Sequence, residues 1–469
     1  MSCHYQEWWA TSGAPPPLDS GTRVRCTDVM GVPGNVSSSR RTLRLLGLPA
    51  WAMADSVRGI VRRARGEDPD RVRQDLRREA AERTRQTLGD LKGGALKAGQ
   101  LLSTVEMLFP SDPEETWRTT LTGLQQDVPA LPFDDVEPVL RREIGDSWSD
   151  VLVDLDPTAA AAASLGQVHR ARDRQGRDVA VKIQYPGVAE ALAADVRTLS
   201  VVSQTVARLA PRIALPPLVS ELRVRLLEEL DYVHEAAAQR VFSRAYADDE
   251  AVHVPHVVAA TERVLVSEWM DGTALATVAT SADQRTRDEV ALQYQRFMLS
   301  GPQRTGRLHT DPHPGNFRLL DDGRLGVLDF GSTLAMPGGL PDSFGRLIGA
   351  LQSRDPASVS ATLREAGLVR PDQRIEVEKL MDYLAPFSEP ARHEHFTYSR
   401  AWLRREFGRV NDPRNPDFAV ALQLTLPAEH LFTHRVWLGV VGVLCQLEAR
   451  VPVRQELAAL LPGFDDALR

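Results

Sequence analysis

The chain has 469 residues, of which 43% are hydrophobic and 25% are charged, and its formal net charge is −7. At roughly 150 residues per domain, this length gives one large lobed body or two to three domains, and the composition excludes wholesale disorder. The excess of acidic over basic side chains argues against a general nucleic-acid binder, so we expect no nucleic-acid partner.

The three cysteines are too scattered along the chain for a disulfide framework or a cysteine zinc site, which favours a reducing compartment. No uncharged apolar run approaches the roughly 18 residues that span a bilayer, and the best candidate, at residues 436–447, has charged residues on both sides. The N-terminus has prolines where a signal peptide needs an apolar stretch. We therefore expect a cytoplasmic protein whose contact with a membrane, where it occurs, is peripheral.

The first elements follow from composition and periodicity. Residues 1–40 are rich in Pro, Gly and Ser and predict a disordered leader. Periodic leucines predict an N-terminal helical extension at 41–150, with one helix at 71–108 and a short one at Phe133–Ile144. Further predicted elements, in chain order, are a β-hairpin with strands at 168–171 and 179–183, helices at 188–209 and 218–247, strands at 256–258 and 263–269, a helix around 289–299, a hairpin turn at 321–323 before a strand at 325–328, and mostly helices over 340–469.

Lysine is rare in this chain, with four residues among 56 basic ones. One of them, Lys182, ends the run Val-Ala-Val-Lys at residues 179–182, which matches the lysine strand of kinases with one conservative change. A strand that ends in Lys is more often an edge strand with a solvated tip. The kinase interpretation predicts that Lys182 holds nucleotide phosphates.

A more specific pattern occupies residues 309–316, where His, Asp and Asn have the spacing of the kinase catalytic loop H-R-D-x-x-x-x-N. In that chemistry, Asp311 would accept a hydrogen bond from the attacking hydroxyl and Asn316 would hold Mg²⁺. Thirteen residues later, a short strand leads to Asp-Phe-Gly, whose Asp329 would hold the same metal. Each half alone could be an ordinary polar turn, but their order after the lysine strand favours a kinase-like site.

A zinc or iron site is the competing interpretation. His309, Asp311 and His313 alternate along an extended segment, and His393 or His395 could complete a zinc or iron site. This interpretation leaves the lysine strand, the loop asparagine and the downstream Asp-Phe-Gly unexplained. We therefore predict that His309 is a buried scaffold group and that His313 orients the loop.

The predicted phosphate loop differs from that of protein kinases, because residues 159–167 are rich in alanine where those enzymes have G-x-G-x-x-G. Alanine lets backbone N–H groups approach phosphates, but its Cβ disfavours the positive φ angles that glycine allows. The alternative is the start of an alanine-rich helix. The predicted nucleotide-binding residues of this loop are Ala161, Ala162, Ala163, Ser164, Gly166 and Gln167.

Together these motifs resemble the UbiB/AarF family of atypical protein-kinase-like proteins over roughly residues 90–332. The resemblance implies an α+β, atypical two-lobed protein-kinase-like fold with an N-terminal helical extension, a lobe at 151–272 and a largely helical C-terminal lobe at 273–469. It also implies binding of ATP or ADP with Mg²⁺, and a link to isoprenoid quinone biosynthesis or membrane lipid homeostasis. The motifs that carry it are Lys97–Gln100 (K-x-G-Q), the alanine-rich loop, Lys182, Glu229–Asp231 (E-x-D), the loop at 311–316 and the Asp-Phe-Gly at 329–331.

The resemblance assigns a regulatory role to the K-x-G-Q helix, which would cover the nucleotide site where a peptide substrate would otherwise lie. Lys97 and Gln100 are three residues apart and share a helix face. We expect Glu229 and Asp231 to face that helix. A solvated polar face is the alternative for both pairs.

Two further site residues are predicted around the nucleotide. Glu235 is assigned as the carboxylate partner of Lys182, with a solvated acidic face as the alternative. The strand that ends near Asp-Gly at 271–272 resembles a kinase hinge, in which Glu268 and Met270 would present backbone groups to adenine.

The function predicted from the sequence is an atypical kinase or ATPase that binds Mg-ATP and acts on, or supports, quinone or membrane lipid metabolism. Its expected ligands are a nucleotide and a lipid or quinone precursor. The alternative is a catalytically weak nucleotide-sensing scaffold or lipid-handling accessory protein. Ordinary protein kinase activity is disfavoured, because no A-P-E motif follows Asp-Phe-Gly.

Overall fold

The structure is a computed structural model. It describes five stretches of the chain and a few isolated positions outside them. These stretches are residues 130–163, 165–193, 229–370, 372–411 and 428–464.

The described chain forms two compact units. The first comprises residues up to Val233 together with Val258–Ser267, and the second comprises His234–Val257 and Glu268–Arg469. Residues 234–257, which the predicted lobe at 151–272 includes, therefore cluster with the second unit. The domain boundaries drawn from the sequence remain predictions.

The first unit contains a mainly antiparallel sheet. Its longest strands are Gly166–Asp173 (β3) and Asp178–Gln184 (β4), in which buried residues alternate with partly buried or exposed ones over most of the length, because one face of the sheet packs on the core. The sheet order is β1-β3-β4-β7-β6, with β2 paired to β3. The elements are α1 (Phe133–Ile144), α2 (Trp148–Val151), β1 (Leu152–Val153), β2 (Ala161–Ala162), β3 (Gly166–Asp173), β4 (Asp178–Gln184), β6 (Val257–Ala260) and β7 (Val264–Glu268), while β5 lies in the second unit.

The core of the first unit lies between the sheet and α1. Val136 and Leu140 of α1 pack with Val179, Val181 and other β-branched residues of the sheet. These side chains are almost completely removed from water, so their burial is the main term that stabilises the unit.

The second unit is largely helical, and three small sheets complete it. Its main core contains the aromatic residues Tyr294, Phe297 and Phe317 together with Leu308. A four-stranded sheet has the order β5-β11-β10-β8, and β12 pairs with β9. The elements are α3 (Tyr232–Ala245, which begins in the first unit), β5 (Val252–His253), β8 (Thr273–Ala274), α4 (Leu275–Ser281), α5 (Gln284–Thr305), β9 (Arg307–His309), β10 (Phe317–Leu319), β11 (Leu325–Val327), β12 (Thr333–Ala335), α6 (Asp342–Ser353), α7 (Pro356–Glu365), α8 (Val377–Ser388), β13 (Phe396–Thr397), α9 (Arg400–Asn411), α10 (Ala428–Gln446), β14 (Arg450–Val451) and α11 (Val453–Leu460).

Most predicted elements in the described ranges are present. The helix Phe133–Ile144 has the predicted bounds, and the hairpin of β3 and β4 turns at Gly176, whose φ of 78° suits glycine. The predicted leader and the helix at 71–108 lie outside the continuous described ranges.

One predicted helix is wrong in its extent. The helix expected at 218–247 is not continuous, because residues 229–230 form a turn, residue 231 is not helical and a new helix begins at Tyr232, while residues 218–228 lie outside the described residues. The carboxylate of Asp231 accepts a hydrogen bond from the N–H of Val233 at 2.9 Å, which is the contact that caps a helix start. Asp231 and Glu235 therefore do not lie on one continuous helical face. Among the helices that the structure describes, none combines the length and apolarity needed to cross a bilayer.

Candidate functional site

His309 lies at the end of β9, in the aromatic core of the second unit. Its side chain is 2% exposed, and its ring lies 5.6–6.5 Å from four phenylalanine rings. Nε2 donates a hydrogen bond to the main-chain oxygen of Asp329 at 2.7 Å, and the buried Nδ1 has no hydrogen-bond partner. Burial among aromatic rings lowers the pKa of His309, so the ring is neutral and carries its proton on Nε2. The prediction of a buried scaffold group is consistent with this geometry.

The hairpin of β10 and β11 places Asn316 and Asp329 at the same end. Phe317, the residue after Asn316, pairs with Val327, which is two residues before Asp329. The N–H of Leu328 also donates to the main-chain oxygen of Asn316 at 2.9 Å. An antiparallel pair with a fixed register brings the residues next to its open end together.

The loop between β9 and β10 is held by its own polar groups. Nδ1 of His313 accepts a hydrogen bond from the N–H of Gly315 at 3.1 Å and caps a short 3₁₀ helix, Pro314–Asn316. Nδ2 of Asn316 donates to the main-chain oxygen of Asp311 at 3.3 Å. This contact leaves the amide oxygen of Asn316 as the atom that can bind a cation. His313 therefore orients the loop, in the way the sequence predicts.

Two carboxylates flank Gly331. Oδ1 of Asp329 accepts a hydrogen bond from the N–H of Gly331 at 2.9 Å. A Cβ placed on Gly331 would lie 3.2 Å from Oδ1 of Asp329 and 3.2 Å from Oε2 of Glu235. The side chain of Glu235 is buried, and two carboxylates on either side of one small residue favour a nearby cation.

Two helices contact Pro312 of the same loop, and neither contact is predicted from the sequence. The hydroxyl of Tyr294 on α5 donates to the main-chain oxygen of Pro312 at 2.8 Å. Burial, with a smaller contribution from the charge of Asp311, holds the pKa of Tyr294 well above its usual value, so the hydroxyl keeps its proton. On α10, a Cβ added to Gly439 would lie 2.2 Å from Cγ of Pro312. The sequence signal for the second contact was a glycine in the apolar run 436–447, which also contains Gly442.

In the first unit, the alanine-rich stretch folds back against the start of β3. Residues 160–163 of this stretch are called the alanine turn. Ala161 and Ala162 form β2, paired with Val168 and Gln167 of β3, and the N–H of Ala163 donates to the oxygen of Gly166 at 2.8 Å. The alternative of a helix start is therefore wrong. Ala161 and Ala162 are exposed, as a loop that meets a ligand must be. Ser164 lies outside the described residues.

Gly166 closes this turn against β4. A Cβ at this position would lie 2.2 Å from the main-chain oxygen of Ile183 and 2.9 Å from the hydroxyl of Tyr232. Real side chains do not tolerate such distances to backbone atoms. Gly166 therefore sets the approach of the turn to β4, whether or not it contacts a nucleotide.

The side chain of Gln167 is engaged within the protein, so its predicted contact with a nucleotide, which stays a prediction, would be through its backbone. It is 0% exposed. Its Oε1 accepts a hydrogen bond from the N–H of Leu131 at 2.8 Å, and its Nε2 donates to the oxygen of Leu131 at 3.1 Å and to Nε2 of His169 at 2.9 Å. These contacts use the whole amide, so only its backbone remains for a ligand.

Lys182 projects from β4 at the position opposite Val168 of β3. Its Nζ lies 5.0 Å from the centroid of the Tyr232 ring, a cation–π distance. The side chain is half-buried. The pairing of Lys182 with Glu235 stays a prediction.

The proposed regulatory residues are only partly described. Lys97 and Gln100 lie outside the described residues. Asp231 caps α3, and Glu229 lies in the turn before it. Their contact with the K-x-G-Q helix remains a prediction.

At the predicted hinge, Glu268 makes several contacts within the second unit. Its N–H donates to the oxygen of His256 at 2.9 Å, and its carboxylate accepts hydrogen bonds from Nε2 of His253 and the N–H of His256, each at 3.1 Å. The bond from His253 is the main cause that lowers the pKa of Glu268. Met270 is 7% exposed and would lie 3.2 Å from a Cβ on Gly326. Contact of either residue with adenine remains a prediction.

The competing zinc or iron site is not supported. Both His309 and His313 use a ring nitrogen to hold main-chain groups. Across the part of the chain that the structure describes, no group of three His, Cys, Asp or Glu side chains is arranged to hold a metal ion. A pair of oxygen ligands, Asn316 and Asp329, remains as the candidate cation site.

Comparison with known proteins decides the family. Residues 123–363, just over half of the chain, match the model of the ABC1 atypical kinase-like domain. The chain belongs to the ABC1 atypical kinase-like family. This match confirms the resemblance to UbiB/AarF proteins that was inferred from the sequence motifs.

Relatives in the ABC1 family include two named atypical kinases. The chain is 31% identical over 287 residues to the mitochondrial atypical kinase COQ8 of Saccharomyces cerevisiae, covering 60% of this chain and 56% of that protein. It is 33% identical over 279 residues to the mitochondrial atypical kinase COQ8B of Rattus norvegicus, covering 59% and 52%. The chain spans about half the length of the curated relatives it matches.

A solved structure matches a larger share of this chain than the two atypical kinases do. The complex of Rv3197 with erythromycin from Mycobacterium tuberculosis matches with a TM-score of 0.66 and 38% identity, over 85% of this chain and 99% of that one. This similarity confirms the prediction of an α+β fold of the atypical kinase-like type.

Proposed function

We propose that this protein binds a magnesium nucleotide and catalyses phosphoryl transfer to a small-molecule hydroxyl, or hydrolysis of ATP. The observation that carries the proposal is the hairpin of β10 and β11. Its register brings Asn316 and Asp329 together, beside a loop in which Asn316 fixes the main chain of Asp311. Family membership supports the same chemistry.

The candidate cation site suits Mg²⁺. The donor atoms are the amide oxygen of Asn316 and the carboxylate of Asp329, and Mg²⁺ prefers a few such oxygens with the rest of its shell from phosphates and water. The second carboxylate, Glu235, adds negative charge next to Gly331. When bound, the metal would neutralise charge on the β- and γ-phosphates.

The other predicted residues have separate roles. The exposed alanine turn would offer backbone N–H groups to the phosphates, and Lys182 would hold the α- and β-phosphates. Asp311 would orient the nucleophile by accepting its hydrogen bond. His309, Tyr294 and Gly439 would act indirectly, by positioning the loop and Asp329 through the contacts described above.

The acceptor is proposed from family membership. The COQ8 relatives and the resemblance to UbiB proteins favour a lipid or quinone precursor. Contact with a membrane would then be peripheral.

A thermal shift experiment tests the proposal. The melting temperature is measured with ATP and MgCl₂, with ATP and EDTA, and with ADP and MgCl₂. At a hundred times Kd, a ligand stabilises the native state by about 2.7 kcal/mol. We expect a shift of several degrees that needs Mg²⁺ and is lost in Asp329→Asn; an equal response in both proteins would remove the metal role of Asp329.

A second candidate function is suggested by one observation. Rv3197, 38% identical over nearly its whole length, was solved with erythromycin, a large macrolide. This protein would then be a nucleotide-sensing protein that binds a bulky apolar ligand without turnover. Binding of erythromycin by calorimetry, with no ATP hydrolysis in its presence, favours this candidate. Sustained hydrolysis that Asp311→Asn abolishes favours the enzyme.

A further inference from the structure

Gln167 connects the alanine turn to Leu131, which lies just before α1 in the predicted N-terminal extension. Its backbone pairs with Ala162 of the turn, and its side-chain amide binds both main-chain polar groups of Leu131. Leu131 lies 36 residues before Gln167 in sequence. The contact is therefore a tertiary link rather than a property of the local turn.

The link holds Leu131 through hydrogen bonds and not through apolar burial. The side chain of Leu131 is 38% exposed, whereas that of Gln167 is 0% exposed. Pro132 follows at once, with a φ of −51°, and α1 begins at Phe133. The segment is therefore stiff just before α1. A displacement of the chain before Leu131 would be transmitted directly to the buried amide.

His169 fixes the orientation of that amide. Its Nδ1 donates to the main-chain oxygen of Asp156 at 2.7 Å, so its Nε2 is unprotonated and accepts from Nε2 of Gln167. Asp156 precedes the alanine strand, and the N–H of Ala160 donates to the oxygen of Val168. The segments before and after the turn are thus tied to one hydrogen-bond network, in which the buried side chains of Gln167 and His169 bind main-chain groups of Leu131 and Asp156.

We propose that Gln167 is a positioning residue that couples the alanine turn of the nucleotide site to the segment at Leu131, which follows the predicted K-x-G-Q helix in sequence. This inference rests on the proposed function, because it assumes that the turn meets the nucleotide. Coupling between two sites is reciprocal. Nucleotide on the turn should therefore tighten the hold on Leu131, and release of Leu131 should weaken nucleotide binding.

Hydrogen exchange on the full chain tests the link itself. Exchange of the amides of Leu131, Ala160 and Ala163 is compared in wild type, Gln167→Ala and Gln239→Ala. Gln239 is a matched control, because it is a buried glutamine of the second unit whose Nε2 donates to a main-chain oxygen, that of Pro255. We expect all three amides to exchange faster in Gln167→Ala only. Equal exchange in Gln167→Ala and the control would overturn the proposal.

Reciprocity gives a second measurement. In wild type, Mg-ATP should slow exchange at Leu131, and in Gln167→Ala this protection should disappear. The KM for ATP should rise about tenfold in Gln167→Ala, equivalent to about 1.4 kcal/mol, with kcat changed less than about twofold. If wild type binds no nucleotide, the proposed function fails, while the exchange data without nucleotide still decide whether the link exists. Protection of Leu131 that persists in Gln167→Ala would contradict the coupling.

Gln167→Glu separates this role from a general structural one. The carboxylate can still accept from the N–H of Leu131, but its second oxygen faces two acceptors, the oxygen of Leu131 and Nε2 of His169. A proton on His169 would turn the second contact into a charged hydrogen bond. The groups around His169 are Asp156, whose carboxylate supplies the nearby charge, the Phe133 ring at 5.3 Å and the cross-strand Val181.

The KM defect of Gln167→Glu should therefore shrink between about pH 8 and about pH 6, where histidine gains a proton. Gln167→Ala should show a defect that is the same at both pH values or larger at the lower one. A defect of Gln167→Glu that does not decrease at lower pH would contradict the role of the amide in this network.

Discussion

Nε2 of His309 donates a hydrogen bond to the main-chain oxygen of Asp329 at 2.7 Å, from inside a group of four phenylalanines. The bond joins the end of β9, two residues before Asp311, to Asp329 in the segment after β11. Because the ring is buried and neutral, the bond persists without help from a ligand. The relative position of loop and carboxylate is therefore set by the core of the second unit.

Replacement of His309 should be far more costly than replacement of His313. His309→Ala leaves the oxygen of Asp329 without its partner and a cavity among aromatic rings, so the free energy of unfolding should fall by about 2–5 kcal/mol. His313 is exposed and holds one N–H, so His313→Ala should cost about 1 kcal/mol. Chemical denaturation measures both. Similar losses in the two variants would argue against the scaffold role of His309.

The contact between α10 and Pro312 can be tested with a matched pair of glycines. A Cβ on Gly439 would meet Cγ of Pro312 at 2.2 Å, whereas a Cβ on Gly442 meets no atom within 4 Å. Gly439→Ala should displace the loop, cost about 1–3 kcal/mol in stability and lower kcat. Gly442→Ala should leave kcat unchanged and add up to about 1 kcal/mol, because alanine favours helix. Steady-state kinetics and denaturation are measured on both variants. An unchanged kcat in Gly439→Ala would contradict a role of the contact between Gly439 and Pro312 in positioning the loop.

The first unit should lose stability in mild acid. Burial is the main cause that lowers the pKa of His169, and the neutral ring accepts the bond from Gln167. A histidine whose folded pKa lies below its unfolded value stabilises the fold above the unfolded pKa of about 6.5, and this contribution is lost as the pH falls below it. Unfolding is followed from about pH 8 to about pH 5 in wild type and His169→Asn. The difference in free energy of unfolding between them should shrink in acid; a constant difference would contradict this assignment.

The alanine turn should control nucleotide preference. Ala162 is exposed and pairs with Gln167, so Ala162→Gly removes no core contact but allows positive φ angles and loosens the turn. The ratio of the dissociation constants for ATP and ADP should change severalfold, on the order of 1 kcal/mol. Calorimetric titration with both nucleotides measures it. Gly338→Ala is a control, because that glycine is exposed and its added Cβ meets no atom within 4 Å. Unchanged constants in Ala162→Gly would count against the loop assignment.

The sequence predicted that Asn316 and Asp329 lie close together, because the relevant constraints are local. The turn at Gly323, with a φ of 86°, fixes the register of β10 and β11, and that register brings the two residues to the same end of the hairpin. The spacing of the motif was therefore enough to predict their proximity, while their binding of a metal stays a prediction.

Other features depend on contacts between distant parts of the chain, which spacing does not reveal. Gly439 meets Pro312, and Gln167 meets Leu131, only after the fold is formed. The start of α3 was misplaced for a related reason. Acidic residues continue at helical spacing through Asp231, although that residue caps the helix and does not extend it.

We propose that Asn316 and Asp329 hold the metal of a bound nucleotide. Electron paramagnetic resonance of Mn²⁺, an ion that accepts the same oxygen ligands as Mg²⁺, measures metal bound in the presence and absence of ATP. We expect ATP-dependent Mn²⁺ binding in wild type, weakened by at least about tenfold in Asp329→Asn and unchanged in Asp322→Asn, a carboxylate in the turn at the far end of the same hairpin. Mn²⁺ binding of equal affinity in wild type and Asp329→Asn would show that Asp329 does not hold the metal.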